Sequence, residues 1–479
     1  MADTKHTLTT WLGFRPDPDF SKATWLGSLL GVLALMVYAV VLITLVGTLI
    51  WMIVGIPGHF ANIASENPPL NPSLYFFGIT ALTASLAAVV VFPFTILRTI
   101  YTQRQTDVAE QGHITDQINK AVENLGAMRD VRDGDKITTQ PNIEVRIGGL
   151  LALERISKNS PDDHIQIMQI LCAYIRENAR AQVAAEVSFD ADGKLEGDAR
   201  TLRDDLLMAF DIIDRRGPNL RAIETNAEFH LNFEYADFRG LNLSKRDFAG
   251  ANLRLTQLQG ADLRWAEMQG ADLRWAEMQA ADFSKAEMRE ADLTAAKMNG
   301  ANFGRAKMQK ATLNTAQMQG ADFYFAKVNN ASLRDANMIG VDLSRADFSG
   351  VSLHGADLRS ACLNEVELRH AEIAFADLRG ANLYGAQIQE TELRSIDLVG
   401  AALAGQILSI NQIDDLSDRK VFCDGTVTLP GGKGPNDQDW PELWPKEALK
   451  LDEFQKAWRA WQDKIGFDRT TFTLKPPNE

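Results

Sequence analysis

Six residues recur at intervals of twenty: Lys245, Trp265, Lys285, Arg305, Phe325 and Arg345. Lysine and arginine supply fixed positive charge, and aromatic faces between them attract cations and stack on planar groups. Brought onto one edge, such an alternation can bind an anionic partner, including a phosphate backbone. Lys307, Lys310 and Lys327 fall near the middle of the series. The plainer reading is a solvated charged surface offset by Asp247, Glu267, Glu287 and Asp347, since exposed ion pairs contribute little. The choice turns on whether the backbone sets residues twenty apart side by side.

Other chemistry-bearing residues are sparse. His164 follows Asp162 and Asp163, but no second histidine or cysteine is spaced to complete a metal site, and a structural role near a helix start is the better reading. Glu144, Arg146, Glu154 and Arg155 form a charge cluster that reads as a salt-bridged helix surface rather than a catalytic group. His354 and His370 have no partners in the pattern, and Cys172, Cys362 and Cys423 are odd in number and far apart, which makes neither a disulfide framework nor a zinc pattern. No phosphate-binding loop, dinucleotide fingerprint, HExxH or GxSxG motif is present. The sequence therefore reads as non-enzymatic, with no catalytic residue, cofactor or metal ligand to nominate.

Composition narrows the partners. The chain has 479 residues, 49 Lys and Arg against 63 Asp and Glu, and a net charge of -14. That balance disfavours wholesale nucleic-acid binding. Between 231 and 405 the counts are 19 basic and 23 acidic, a surface of mixed sign.

The front of the chain is apolar. No Asp, Glu, Lys or Arg lies between Lys22 and His59, and a second apolar run covers Leu74 to Leu97. About 20 such residues cross a bilayer. Trp25, Trp51 and Tyr75 lie near the ends of the runs, where amphipathic rings favour the interface. Pro93 is expected to kink the second helix near its exit. The connecting loop lacks Lys and Arg, whereas Lys5, Arg15, Lys22, Arg98 and Arg104 flank the pair. The expectation is a transmembrane hairpin, helices about 25–56 and 74–97, with both chain ends in the cytoplasm. Gly27 and Gly31 allow close helix packing and hence a homo-oligomer.

From Tyr101 to Arg216 the apolar spacing is mostly helical, as in Ile114, Ile118, Val122 and Leu125. Ser160-Pro161-Asp162-Asp163 reads as an N-cap, a proline at the first helical position and early acidic residues. VSFDADGKLEGD reads as a loop, and Gly217-Pro218 as a stop.

The element that must position the twenty-residue series has its own period. Every fifth residue from Phe233 to Leu403 is Leu, Phe, Met, Ile or Val at all thirty-five positions, and twenty-six of the residues two before them are Ala. On an α-helix a step of five rotates the side chain by about 140°; on a strand an odd step flips the face. A coil that bends once per five residues sends one large and one small side chain inward each time. Arg246 and Thr256 occupy small inward positions, which predicts irregular first coils, and Gln406 breaks the pattern and marks its end.

ADLRW, AEMQG, ADFSK and ANFGR resemble the pentapeptide-repeat family, written A-[DN]-[LF]-x-x. EVRIGGLLALERIS, SPDDHIQIMQILCAYIREN, RQTDVAEQGHITDQINKAVENLG and CDGTVTLPGG resemble flanking segments of its bacterial, membrane-anchored members. The resemblance implies an all-β solenoid, a right-handed quadrilateral β-helix with four pentads per coil. To this the sequence adds the transmembrane hairpin and an α-helical connecting domain. Nine coils at the interstrand spacing give a column of roughly 42 Å. Residues twenty apart then stack: Leu263, Phe283, Phe303, Phe323 and Leu343 in one inner column, Met268, Met288 and Met308 in another, and the series from Lys245 to Arg345 along one outer edge.

The expected organisation is a cytoplasmic segment 1–22, the hairpin 23–99, a helical domain 100–225, the β-helix 226–405, and a cap with a helix 406–479, the helices before Gly217 and the tail helix covering the two ends. The expected function is a scaffold on the inner membrane of a bacterium, multi-pass, presenting a rigid column to a cytoplasmic protein, with nucleic acid an unlikely ligand. The alternatives are a DNA-mimicking modulator of topoisomerase and a membrane-acting effector in stress or phage defence.

Overall fold

The computed structural model describes residues 36–51, 53–55, 72–186, 200–391, 395–405, 420–428, 432–438 and 440–475. The chain divides into two compact units, Met1–Gln117 and Ile118–Glu479.

The first unit holds helix α1 (Met36–Gly55) and most of α2 (Pro72–Leu125). Among the described residues α1 is the one helix long and apolar enough to cross a membrane, with mean hydropathy 2.5; the apolar part of α2, Phe76–Val89, is shorter. The start of the first expected span and the loop after it lie outside the described residues. The second expected span does not stop at 97. Helix α2 runs through Pro93 and across the expected boundary at 99–100 to Leu125, because no later proline interrupts it before Gly126. The Tyr38 hydroxyl donates to the Val89 carbonyl at 2.8 Å. Thr44, Thr48, Thr80 and Thr83 return their hydroxyls to carbonyls one turn back, which satisfies these polar groups without water.

The second unit opens with a feature the helical reading missed: an antiparallel hairpin of β1 (Met128–Asp133) and β2 (Lys136–Pro141). The signal was Asp133-Gly134-Asp135 between β-branched residues, with Gly134 at φ +60° as a two-residue turn requires. Helices α3 (Ile143–Asn159), α4 (His164–Glu186), α5 (Asp204–Asp214) and α6 (Pro218–Asn226) follow. At Gly149 a Cβ would lie 2.7 Å from the Ala121 carbonyl oxygen, so only glycine permits this approach of α3 to the end of α2. Ser160 does precede a single 3-10 turn, Pro161–Asp163, with proline at its start. Its hydroxyl, however, donates to the Asp163 carboxylate rather than capping backbone amides. The segment 187–199, expected as a loop, lies outside the described residues.

From Asn232 onward the chain coils. Each outward residue before a large core residue bridges in parallel to the residue twenty ahead, as Asn232 to Asn252 and Asp262 to Asp282. With a turn every five residues, each coil has four corners. The bonds explain the period. The amide of Leu263 donates to the Asp282 carbonyl at 2.8 Å and the amide of Asp262 to the Leu241 carbonyl at 3.0 Å, so each coil bonds both above and below. The residue at each corner takes a positive φ, as Trp265 does at +63° and Gly270 at +64°.

The inward columns hold as read. Leu263, Phe283, Phe303, Phe323, Met268, Met288 and Met308 are wholly buried. Phe303 stacks on Phe283 at 5.1 Å and on Phe323 at 4.9 Å. The expected irregularity of the first coils is absent. Thr256 fits a small inward slot by donating its hydroxyl to the Leu253 carbonyl at 2.7 Å. Arg246 turns toward α5, where Asp211 and Asp214 hold it at 2.6 and 2.7 Å.

Both ends are covered. At the first, Phe210 of α5 packs against Phe233, Phe238 and Phe248 with ring centres about 6 Å apart. Arg200 supplies a missing rung, donating its amide to Gly240 and accepting from Asn242. At the other end the ladder runs one rung past its expected limit: β3 (Asn382–Tyr384), β4 (Ala402–Ala404) and β5 (Phe422–Cys423) pair in parallel, still twenty apart. Residues 406–419, including Gln406, lie outside the described residues. The Trp444 indole donates to the Val421 carbonyl at 2.9 Å, where a further coil would have bonded. The tail helix α7 (Leu451–Lys464) was expected to cover this end. It packs instead on the flank of the last coils, Phe454 on Tyr384 and Phe422, with Trp458 and Gln462 donating to the Gly400 carbonyl.

Candidate functional site

The corner geometry decides what the twenty-residue series can do. Lys245, Trp265, Lys285, Arg305, Phe325 and Arg345 all have φ between +56° and +63°. They share one corner of successive coils, so the stack forms them into one outward edge. The Lys285 ammonium sits 4.3 Å from the centre of the Trp265 indole. Phe325 lies between two guanidinium groups, Arg305 at 6.0 Å and Arg345 at 5.6 Å. The edge therefore consists of two cation–aromatic groups, with Lys245 exposed one coil below them.

Two residues belong to this edge that sequence reasoning left out. Tyr324 packs edge-on to Phe325 with ring centres 4.6 Å apart; it stands next to Phe325 in the same pentad. Glu365 accepts from Arg345 at 2.8 Å and closes the cationic run; the same step of twenty past Arg345 reaches it. The bond to Glu365 raises the pKa of Arg345 above that of a free guanidinium. Trp265 is 52% exposed and Phe325 40%, so both offer ring surface to a partner.

The carboxylates named as neutralisers do not serve this edge. Asp247 is held by Arg216 and Arg221, and Glu287 by Lys307 and Arg289. Lys310 pairs with Glu290. Asp347 accepts the Ser349 amide. Among the described residues Lys285, Arg305 and Lys327 form no ion pair. Trp275 lies two corners from Trp265 and makes a separate group with Arg254 at 5.0 Å and Arg274 at 5.7 Å.

The outward Asp or Asn of each pentad acts on the turn. Asp262 accepts the amide of Arg264 at 3.1 Å and grips its guanidinium at 2.9 and 2.7 Å; Asp272, Asp357 and Asp377 do the same with Arg274, Arg359 and Arg379. An acceptor two residues before the amide braces such a turn. Cys362 stands in that slot and receives Asn364 Nδ2 at 3.0 Å. Burial pushes its thiol pKa up, which disfavours the reactive thiolate.

The charge clusters near the first coil are internal. Ser157 Oγ lies 2.7 Å from His164 Nδ1, and His164 Nε2 lies 2.8 Å from Glu224. The order of groups is that of a hydrolase relay, but His164 is wholly buried and Ser157 2% exposed, so no substrate atom reaches the hydroxyl. Glu224 also binds Arg216, which bonds Asp247 of the first coil at 3.0 Å. The line fastens α3, α4 and α6 to the column. Burial raises the Glu224 pKa, but the bonds from His164 and Arg216 outweigh it and leave the carboxyl below its ordinary value. Arg146 is buried and bonds Asn178 at 2.7 Å, facing Asp205 at 3.6 Å, whereas Glu144 and Glu154 are surface partners of Arg129 and Lys158. Among the described residues no group of three His, Cys, Asp or Glu could hold a metal ion.

The model of the pentapeptide repeats family matches in eight copies, over 232–270, 256–294, 286–323, 296–335, 326–364 and 361–400. No curated protein matches. Among solved structures, the chain is similar to HetL of the cyanobacterium Nostoc sp. strain PCC 7120, a pentapeptide repeat protein involved in heterocyst differentiation regulation. The two are 24% identical over 46% of this chain and 100% of HetL, with a TM-score of 0.21. It is also similar to the pentapeptide repeat protein Rfr23 of the cyanobacterium Cyanothece 51142, at 33% identity over 18% of this chain and 58% of Rfr23, TM-score 0.18. A third is full-length QnrB1, a plasmid-mediated fluoroquinolone resistance protein, at 19% identity over 36% of this chain and 92% of QnrB1, TM-score 0.20. The family model's match over 232–400, and the five-residue turns and twenty-residue ladder that these residues build, make this part of the chain a run of pentapeptide repeats.

Proposed function

We propose that the chain is a membrane-tethered, non-enzymatic scaffold whose coil binds an acidic protein surface along the edge from Trp265 to Arg345. The observation that carries this reading is Phe325 held between Arg305 and Arg345, beside the exposed Tyr324 and the unpaired Lys327. Aromatic and arginine side chains on a rigid frame are the usual anchors of protein interfaces, and their order costs little on binding because the ladder already fixes them. Tethering is supported by the apolar α1, by the Tyr38 bond to Val89 that joins α1 to α2, and by the flanking Lys and Arg residues. In this reading the two helices form a hairpin in the inner membrane of a bacterium, both chain ends cytoplasmic.

The test places a photo-crosslinking phenylalanine at Tyr324 of the full chain in its native membrane. A discrete adduct is expected, lost on Arg305→Glu with Arg345→Glu and kept on Thr315→Glu, at a different corner. An adduct indifferent to the charge reversal overturns the reading. Inhibition of DNA supercoiling by the full chain in detergent would favour the DNA-mimic alternative. Ion leakage that needs the helices but not the coil would favour the membrane effector.

A further inference from the structure

The hairpin of β1 and β2 contributes no buried side chain to the core of its unit. It is a sheet of two strands, and nearly every residue in it is exposed or half-exposed, including Met128 and Ile137. A lone hairpin is marginal in water, and a strand with a free edge is a template for another strand. Strand β2 ends in Pro141, whereas β1 carries no proline or glycine.

The sequence of β1 is complementary to itself. Laid antiparallel on a copy and centred on Val131, Arg129 faces Asp133, Asp130 faces Arg132, and Val131 faces Val131. The backbone agrees with that register. Asp133 and Lys136 close the two-residue turn, so by alternation Arg129, Val131 and Asp133 direct their amides and carbonyls at β2. Asp130 and Arg132 direct theirs away from it. These are the two residues that must exchange bonds across a two-fold axis at Val131. Among the described residues the side chains of Arg132 and Asp133 have no partner within the chain, while Asp130 accepts only from Thr139 at 2.7 Å and Arg129 keeps an exposed pair with Glu144 at 3.2 Å. A two-fold contact uses the same patch on both copies, and few strands satisfy it in every pair.

We propose that β1 pairs with β1 of a second copy, making a four-stranded antiparallel sheet across a two-fold axis. The contact is small, so the dimer forms at micromolar rather than nanomolar concentration. It is independent of the edge from Trp265 to Arg345.

The test uses the full chain in detergent on a Cys362→Ser background, which removes the one native thiol that is not buried. Val131→Cys is expected to give a disulfide-linked dimer under mild oxidation. Thr138→Cys, on the same face one strand away, is expected to stay monomeric. With Val131→Cys present, Arg132→Asp should cut the dimer yield by about tenfold, because it sets two pairs of like charges opposite each other. Adding Asp130→Arg should restore the yield, since the swapped pair is again complementary. A folded Val131→Cys chain that does not crosslink, equal crosslinking at Thr138, or failure of the swap to restore the dimer would each overturn the proposal.

Discussion

Gly270 and Ala280 are the same position in two consecutive copies of one decapeptide, and both sit at a corner with positive φ, +64° and +56°. The sole difference between the copies thus falls where the backbone, not the side chain, is under demand. A Cβ at Gly270 would meet nothing within 4 Å, so the two differ only in conformational cost. An L-residue in this region costs about 1–2 kcal/mol, against the extra entropy that glycine loses on folding. Ala280→Gly should therefore stabilise the chain by about 0.5–1 kcal/mol, and Gly270→Ala should destabilise it by a similar amount. Denaturant midpoints of the two variants check the sign; equal midpoints would mean that the stack relaxes the corner.

The aromatic column tests neighbour coupling along the coil. Phe303 is stacked on both sides, nearly parallel to Phe283 at 6°. Phe303→Ala should cost about 3–5 kcal/mol. Phe303→Leu keeps most of the volume and should cost under about 1.5 kcal/mol, since Leu263 and Leu343 occupy other levels of the same column. Because each coil touches only its neighbours, hydrogen exchange should rise first at the levels of Phe283 and Phe323 in the alanine variant. Uniform loss along the whole coil would contradict this.

The coil was legible because its signal is redundant: one large residue per five, repeated to Leu403, leaves no other backbone. The site was legible in part through the family resemblance, whose four pentads per coil give the step of twenty that gathers Lys245 through Arg345 on one edge. The pattern was silent where long-range contacts replace repetition. Arg246 looked like a defect in the inward column, and only the carboxylates of Asp211 and Asp214 explain it. The rung at Phe422 and Cys423 keeps the step of twenty, but the five-residue pattern fails before it at Gln406 and Asp418, so the period did not extend the ladder to it. The hairpin was overlooked because a helical period on both sides outweighed a short turn signal.

The buried line through Glu224 makes stability depend on pH in a defined direction. Its folded pKa lies below the ordinary 4.5. A depressed carboxyl contributes stability that is present above its unfolded value and is lost as pH falls through the folded one. Glu224→Gln should cost about 2–4 kcal/mol near pH 7, because it leaves His164 and Arg216 without their shared acceptor. The gap between wild type and variant should narrow as pH falls below 4.5. Unfolding midpoints of both proteins between neutral and acid pH measure it; a gap that stays constant would show that the carboxyl titrates equally in folded and unfolded chains.

The last rung gives a local test of how the column ends. In the interior, a carbonyl such as that of Ala401 accepts the amide of the next coil, Phe422, at 2.9 Å. Val421 has no next coil, and its carbonyl takes the indole N–H of the buried Trp444 instead. Trp444→Phe keeps an aromatic ring over the rung but removes the donor. An unmet buried carbonyl costs about 1–3 kcal/mol, and that cost should fall on the final rung rather than on the whole coil, as expected for nearest-neighbour stacking. Amide exchange at Phe422 and Cys423 should accelerate roughly tenfold or more, following the exponential dependence of local opening on that free energy. Exchange at Phe303 should stay at its wild-type rate, because more than four coils intervene. Acceleration at both places would mean that the end cap holds the column as one cooperative unit.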